Sequence, residues 1–223
     1  LAICCKDWSS SSMTEEFPSL EAAYALSSVD DNRKLYAEWA KNYDTTFVEA
    51  MDYILPAQVV EQFIKNGGRG AVLDVGAGTG IIGFLLRKND IGPVDGIDLS
   101  KEMLDMAAQK GVYRHLKIVD VTEPIKTENL SYDGVLSSGT FTHGHVGPDA
   151  LDNILPLAKK GALFVLSINK RHWLEKSFEK KLKSLDKKIC NLKLIEVPIY
   201  GPSAVGENRS DLGIVAVFER RLT

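Results

Sequence analysis

Residues 72–80, Val-Leu-Asp-Val-Gly-Ala-Gly-Thr-Gly, constrain the fold more than any other stretch of the chain. A short apolar run holding one carboxylate passes into alternating glycines, and Ile-Ile-Gly-Phe-Leu-Leu follows at 81–86. That succession reads as strand, tight turn and helix start. Glycine lets the backbone turn sharply and approach a ligand with no Cβ in the way. A nucleotide-type cofactor is expected at the carboxyl end of such a strand, near the point where strand order reverses.

The surrounding pattern agrees with this. From residue 71, short apolar runs alternate with helical ones: AVLDV, IIGFLLRK, PVDGIDL, KEMLDMAAQK and HLKIVDV. Such alternation implies parallel strands joined by crossover helices. YDGVLSS and ALFVLSI (162–168) continue the sheet, and their unbroken apolar character suits strands covered on both faces. Lys160-Gly161 reads as the turn feeding ALFVLSI. A helix carrying Trp173, Phe178, Leu182 and Leu185 comes next, then LKLIEVPIY and LGIVAVFER as an antiparallel pair, with Pro198 placing its strand at an edge or bulge. Ahead of the sheet, Leu20, Ala23 and Tyr24, then Leu35, Trp39 and Phe47, recur at helical spacing. Pro56 opens a further helix with Val59, Val60, Phe63 and Ile64 as its buried stripe, ending at Gly67-Gly68.

With 223 residues and 44% hydrophobic composition, the chain supports one substantial core. Residues 1–15, with the serine run at 9–12, read as a disordered leader, and 16–223 as a single domain. Charge excludes some partners. Twenty-seven basic and 30 acidic residues leave a net −3, no footprint for phosphate backbones or anionic membranes. The basic run from Lys176 to Lys188 is interleaved with Leu182 and Leu185 and reads as a solvated helix face. Cys4, Cys5 and Cys190 form neither a disulfide framework nor a metal-ligand spacing, so no metal is expected and a reducing compartment fits. No apolar run reaches the roughly 18 residues of a membrane span, and the opening LAICCKDW lacks signal-peptide character; the chain reads as cytoplasmic.

Three positions sharpen the cofactor expectation. Asp98 ends the second strand 22 residues after Gly76, where a carboxylate can accept from both hydroxyls of a ribose. Asp120, followed by Val121, ends the third strand, within reach of an exocyclic adenine amine, and Leu99 and Met103 are placed to sandwich the ring. Each position also admits a structural role. Asp98 and Ser100 can start the next helix, Asp120 can initiate a turn, and Met103 can be core.

Taken in order, VLDVGAGTG, GIDLS with MLDMA behind it, VDV and YDGVLSSG resemble the successive motifs of the class I S-adenosylmethionine-dependent methyltransferases, over about residues 33–168. A second stretch, Tyr36 to Asp44, resembles the Y-x-x-W-A-x-x-Y-D segment of small-molecule methyltransferases and of the methyltransferase-like proteins of the Williams-Beuren syndrome region. The resemblance implies an α/β fold: a Rossmann-like seven-stranded, mostly parallel sheet with an antiparallel last strand, helices on both faces and an N-terminal helical lid. The domain then divides into helices and lid at 16–68 and core at 69–223. It implies S-adenosylmethionine as cofactor and S-adenosylhomocysteine as product. Asp74 would lie by the methionine end, Gly76, Ala77 and Gly78 along the cofactor's path, Asp98 at the ribose, Asp120 at the adenine, and Ser138 at the end of the fourth motif. Tyr36 and Tyr43 fall on one helical face with Ala40, so two rings can cover a sulfonium; they also read as an aromatic core stripe.

Methyl transfer from a sulfonium is an in-line displacement, and an acidic acceptor also needs a base. The loop Gly139 to His145 holds two of the four histidines, and His143 is the candidate base, with helix capping as its other role. No Asn-Pro-Pro-Tyr-like run follows the fourth strand and Cys190 lies far from it, which disfavours nucleic-acid acceptors. A small-molecule acceptor and a monomer or homodimer are expected. Two readings stay open. A nicotinamide-dependent oxidoreductase shares the glycine turn, although Ile81 stands where its third glycine belongs and Asp74 would face a pyrophosphate. A non-catalytic S-adenosylmethionine-binding protein would keep the same pocket.

Overall fold

The computed structural model describes residues 29–126 and 131–222. The leader expected over 1–15 and the helical pattern of Leu20, Ala23 and Tyr24 lie outside the described residues. In chain order the elements are α1 (Val29–Trp39), a π-helical turn (Asp44–Glu49), α2 (Leu55–Lys65), β1 (Val72–Val75), α3 (Ile81–Lys88), β2 (Val94–Asp98), α4 (Lys101–Gln109) and β3 (His115–Ile118). There follow β4 (Tyr132–Phe141), α5 (Ala150–Ile154), β5 (Ala158–Asn169), α6 (Lys170–Glu175), α7 (Phe178–Ser184), β6 (Ile189–Pro198) and β7 (Leu212–Arg220).

The strands form one seven-stranded sheet in the order β3-β2-β1-β4-β5-β7-β6. All pairings from β3 to β5 are parallel, and β7 runs antiparallel between β5 and β6. Strand order reverses between β1 and β4, so the crevice at their carboxyl ends is the ligand position this topology favours. Pro198 closes β6, an edge strand, where a missing donor leaves no ladder bond broken.

Period-two alternation divides the core. Leu73, Val135, Phe164 and Phe218 point to one face, against α5 to α7, and Val72, Leu136, Val165 and Val217 point to the other, against α1 to α3. Phe63 of α2 is fully buried there, and its ring fills the room left by the missing side chains of Gly68 and Gly134. Ile64, expected in the buried stripe, is 42% exposed, because it lies one position past the buried face.

Other boundaries differ from the sequence reading. Lys160-Gly161 lies inside β5, where Gly161 takes φ +82 and the register against β4 jumps, a bulge where a connecting turn was expected. β4 continues through Gly139 to Phe141 with a second register shift after Ser137. β3 stops at Ile118, which places Asp120 in the turn beyond it. The helix of Trp173 and Leu182 is broken in two at Ser177, whose φ is +56.

Candidate functional site

The turn after β1 is held by its neighbour strand. Gly76 and Ala77 donate their N–H groups to the Ile97 carbonyl (2.8 and 3.0 Å), and Gly78 donates to Asp98 Oδ2 at 2.8 Å. Gly76 and Gly78 take φ +70 and +53. A Cβ at Gly76 would run into the Thr140 hydroxyl, and one at Gly78 would project into open space. These glycines therefore shape a wall; their amides are already used.

Asp98 takes the structural role expected of it at the start of α4. Its second oxygen accepts from Ser100 N–H at 2.9 Å, while the Ser100 hydroxyl caps α4 by accepting from Met103 N–H at 3.2 Å. Burial pushes its pKa up, against the pull of those amide bonds. Asp120 Oδ1 accepts from the Thr122 N–H and hydroxyl (2.8 and 2.6 Å), so it too organises its turn. Val121 behind it is buried, and its carbonyl accepts from Asn153 Nδ2 at 3.0 Å.

Asp74 is different. It is fully buried, Tyr113 donates its hydroxyl to Oδ2 at 2.6 Å, and Oδ1 has no hydrogen-bond partner. Burial raises its pKa to about 7, the Tyr113 bond lowering it and the Asp98 charge raising it further. A buried carboxylate oxygen without a donor is costly in a folded protein, which makes this atom a candidate for a cationic ligand.

Asp74, Gly76, Ala77, Gly78, Asp98, Asp120 and Val121 line one cleft over the β1–β4 crevice, of about 1100 Å³ including its open mouth. Leu99, Met103 and Ser138 line it as well, and Tyr36 and Tyr43 reach it from the N-terminal segment. The twelve residues named from the sequence as cofactor contacts thus surround a single space. His143 is outside it. Its Nε2 lies 3.2 Å from a Glu175 carboxylate oxygen and its ring packs 5.5 Å from that of His172, so the structure does not place it to serve as the base at this cleft. His145 lines the cleft instead, its ring edge-on to Tyr36 at 5.4 Å.

Sequence reasoning missed several participants. Tyr53 lines the cleft and shares a hydrogen bond with Ser138 Oγ at 3.3 Å. Asp44, at the start of the π-helical turn, accepts from the Thr79 hydroxyl (2.5 Å) and from Lys110 Nζ (2.7 Å), while Lys110 also donates to the Thr79 carbonyl (2.6 Å). This strap ties the aromatic N-terminal segment to the glycine turn. Its only visible trace in the sequence is that Asp44 ends the Y-x-x-W-A-x-x-Y-D match. Among the described residues, no group of three or more His, Cys, Asp or Glu side chains is gathered to hold a metal, and no helix is long and apolar enough to cross a membrane.

Residues 72–161 match a family model described as a methyltransferase domain. Those residues, from β1 into β5, are similar to a methyltransferase domain. Human methyltransferase-like protein 27 is 29% identical over 161 residues, which are 70% of this chain; the chain spans 65% of that relative's length. Among solved structures, an S-adenosylmethionine-dependent methyltransferase from Clostridium acetobutylicum is similar, with TM-score 0.59 and 18% identity over 83% of this chain and 99% of that one. A DhpI–SAH complex is similar too, with TM-score 0.59 and 17% identity over 85% and 95% of the two chains. At these identities the structural likeness is one of fold.

The cleft's own geometry fits S-adenosylmethionine, the cofactor that the sequence resemblance implies. The unpartnered Asp74 Oδ1 offers a site for an ammonium, and the missing Cβ of Gly78 leaves room along the cleft wall.

Proposed function

We propose that this chain transfers a methyl group from S-adenosylmethionine to a small-molecule acceptor by in-line displacement. The observation carrying this reading is the unpartnered Asp74 oxygen, buried in the wall of a cleft that is also lined by Asp98 at the tip of the neighbouring strand. An oxidoreductase would bring a pyrophosphate towards Asp74, where like charges repel. When bound, S-adenosylmethionine supplies a sulfonium methyl that passes to an acceptor lone pair, the electrons of the broken S–C bond staying on sulfur to give S-adenosylhomocysteine.

The chain's own residues then bind, orient and shield. Asp74 pairs with the methionine ammonium, Asp98 with the ribose hydroxyls and Asp120 with the adenine amine, while Leu99, Met103 and Val121 enclose the ring. Gly76, Ala77 and Gly78 admit the chain between these ends, and Ser138 lines the wall opposite. Tyr36 and Tyr43 close over the sulfonium, where ring faces favour a cation and exclude water. His145, rather than His143, takes the acceptor's proton. Support for a small acceptor comes from an adjoining chamber lined by Tyr53, Phe47, Tyr200 and Asn169, which meets the cleft at Gly139 and His145.

Thermal melts with S-adenosylmethionine, S-adenosylhomocysteine and NAD test the reading. A ligand at about a hundred times its Kd stabilises the native state by roughly 2.7 kcal/mol, or about 5–10 °C for a domain of this size. Both adenosyl ligands are expected to produce that shift and NAD none. Stabilisation by NAD alone would overturn the proposal, and cofactor binding with no labelled product from a metabolite extract would reduce it to cofactor binding without transfer.

A further inference from the structure

The chamber beside the cofactor cleft has a composition that selects its occupant. Tyr36, Tyr43, Phe47, Tyr53 and Tyr200 form a run of neighbouring rings, with successive centroids 6.1, 5.0, 5.2 and 6.0 Å apart. Five residues, including Gly139 and His145, line both the chamber and the cleft, so the two spaces meet where the methyl group would pass. No Asp, Glu, Lys or Arg appears among the described residues of its lining.

Asn169, the last residue of β5, also lines this chamber and is 5% exposed. Its orientation is fixed by capping α6: Oδ1 accepts from the N–H groups of Arg171 (3.0 Å) and His172 (3.4 Å). The amide nitrogen is thereby turned the other way, and Nδ2 is buried with no hydrogen-bond partner. Native proteins leave few buried donors unsatisfied, and one on a cavity wall is most simply explained by a ligand oxygen.

We infer that the methyl acceptor is an uncharged, planar molecule that lies among the aromatic rings and accepts a hydrogen bond from Asn169 Nδ2 through a carbonyl-type oxygen, with its nucleophilic atom directed toward Gly139 and His145. The inference rests on the proposed methyl transfer. An anionic acceptor would satisfy Nδ2 but would find no cation in the lining. A cationic one would suit the ring faces but offers no lone pair to the amide. A neutral acceptor with one oxygen at its buried end meets both conditions, and a ring stacked among aromatics gains contact area without ordering a flexible chain.

The test uses the full chain saturated with S-adenosylhomocysteine and ligand-observed NMR with matched fragments: benzamide, acetanilide and 4-pyridone as neutral oxygen acceptors, against benzoate and benzylammonium. At least one neutral fragment should bind ten times more tightly than either ion. Asn169→Asp keeps an oxygen to cap α6 and removes the donor; it should weaken that fragment at least tenfold and leave S-adenosylhomocysteine affinity within twofold. Thr142→Phe, a loop change that narrows the chamber without entering the core, should abolish fragment binding and spare the cofactor. Equal or tighter binding of an ion, no binding of any neutral fragment, or neutral-fragment binding indifferent to Asn169→Asp would overturn the inference. Failure of S-adenosylhomocysteine itself to bind the wild-type chain would instead defeat the proposed function.

Discussion

Asp95 and Asp74 lie on adjacent strands of the same sheet, both nearly inaccessible to solvent, yet their surroundings are opposite. Asp95, near the start of β2, receives Arg114 Nε and Nη2 at 3.0 and 2.7 Å, the His115 N–H at 3.1 Å and the Tyr132 hydroxyl at 2.9 Å. Burial pushes its pKa up, but the Arg114 and Tyr132 hydrogen bonds outweigh that and hold it below the ordinary value. Asp74, one register step further along on β1, accepts from the Tyr113 hydroxyl, and burial raises its pKa to about 7. A carboxylate whose bonds are all made within the chain ties structure together; one left half-made on a cavity wall is held ready for a ligand.

The largest expected effect falls on the saturated carboxylate. Asp95→Ala should destabilise the fold by about 3 kcal/mol, because Tyr132 and the Arg114 guanidinium lose their acceptor, while cofactor affinity per folded molecule stays unchanged; urea melts and calorimetry separate the two. Asp74→Asn should do the reverse, leaving stability intact or improved and weakening S-adenosylhomocysteine by about 2 kcal/mol through loss of a charge-assisted bond. Should Asp74→Asn unfold the protein while binding is retained, the distinction between the two aspartates would collapse. Asp98→Ala is expected to weaken cofactor by about 1.5 kcal/mol, since it removes ribose contacts and also releases the Gly78 and Ser100 amides. The smallest change is expected for Asp44→Ala, roughly 1 kcal/mol in stability, as the strap to Thr79 and Lys110 is half-exposed.

The two aspartates also predict pH dependences of opposite sign. For Asp95, whose folded pKa is depressed, the stabilisation is present above the ordinary value of 3.8 and is lost as pH falls through the folded value. For Asp74, whose folded pKa is raised, the protonated native form is favoured at low pH, so the ligand-free protein should lose stability as pH rises from about 4 towards about 7. Cofactor affinity should strengthen over the upper part of that window, because only the carboxylate pairs with an ammonium, and Asp74→Asn should flatten the profile.

Much of the cofactor cleft was legible in the sequence because its residues are placed locally. Asp74, Asp98 and the Gly76–Gly78 turn lie at or beside strand ends, and a strand followed by glycines and a helical pattern determines which end each occupies. Gly83 was opaque: a glycine inside a helix gives no hint that the Tyr113 ring lies where a Cβ would go, or that Tyr113 links the Gly83 N–H to Asp74. Choosing between His143 and His145 was equally beyond the sequence. Both sit after Gly139 and around Gly144, whose φ values of +78 and +71 turn the loop so that adjacent imidazoles face different spaces.

By itself, then, the order of residues determined the alternation of strands and helices and the carboxylates at or beside the strand tips, because hydrophobic period and glycine placement act within a few residues. Tertiary structure alone decided which polar atoms are left without partners. Whether Asp74 Oδ1 or Asn169 Nδ2 finds a donor or an acceptor depends on groups brought near from distant parts of the chain, and hydrogen-bond satisfaction is settled only when those parts pack.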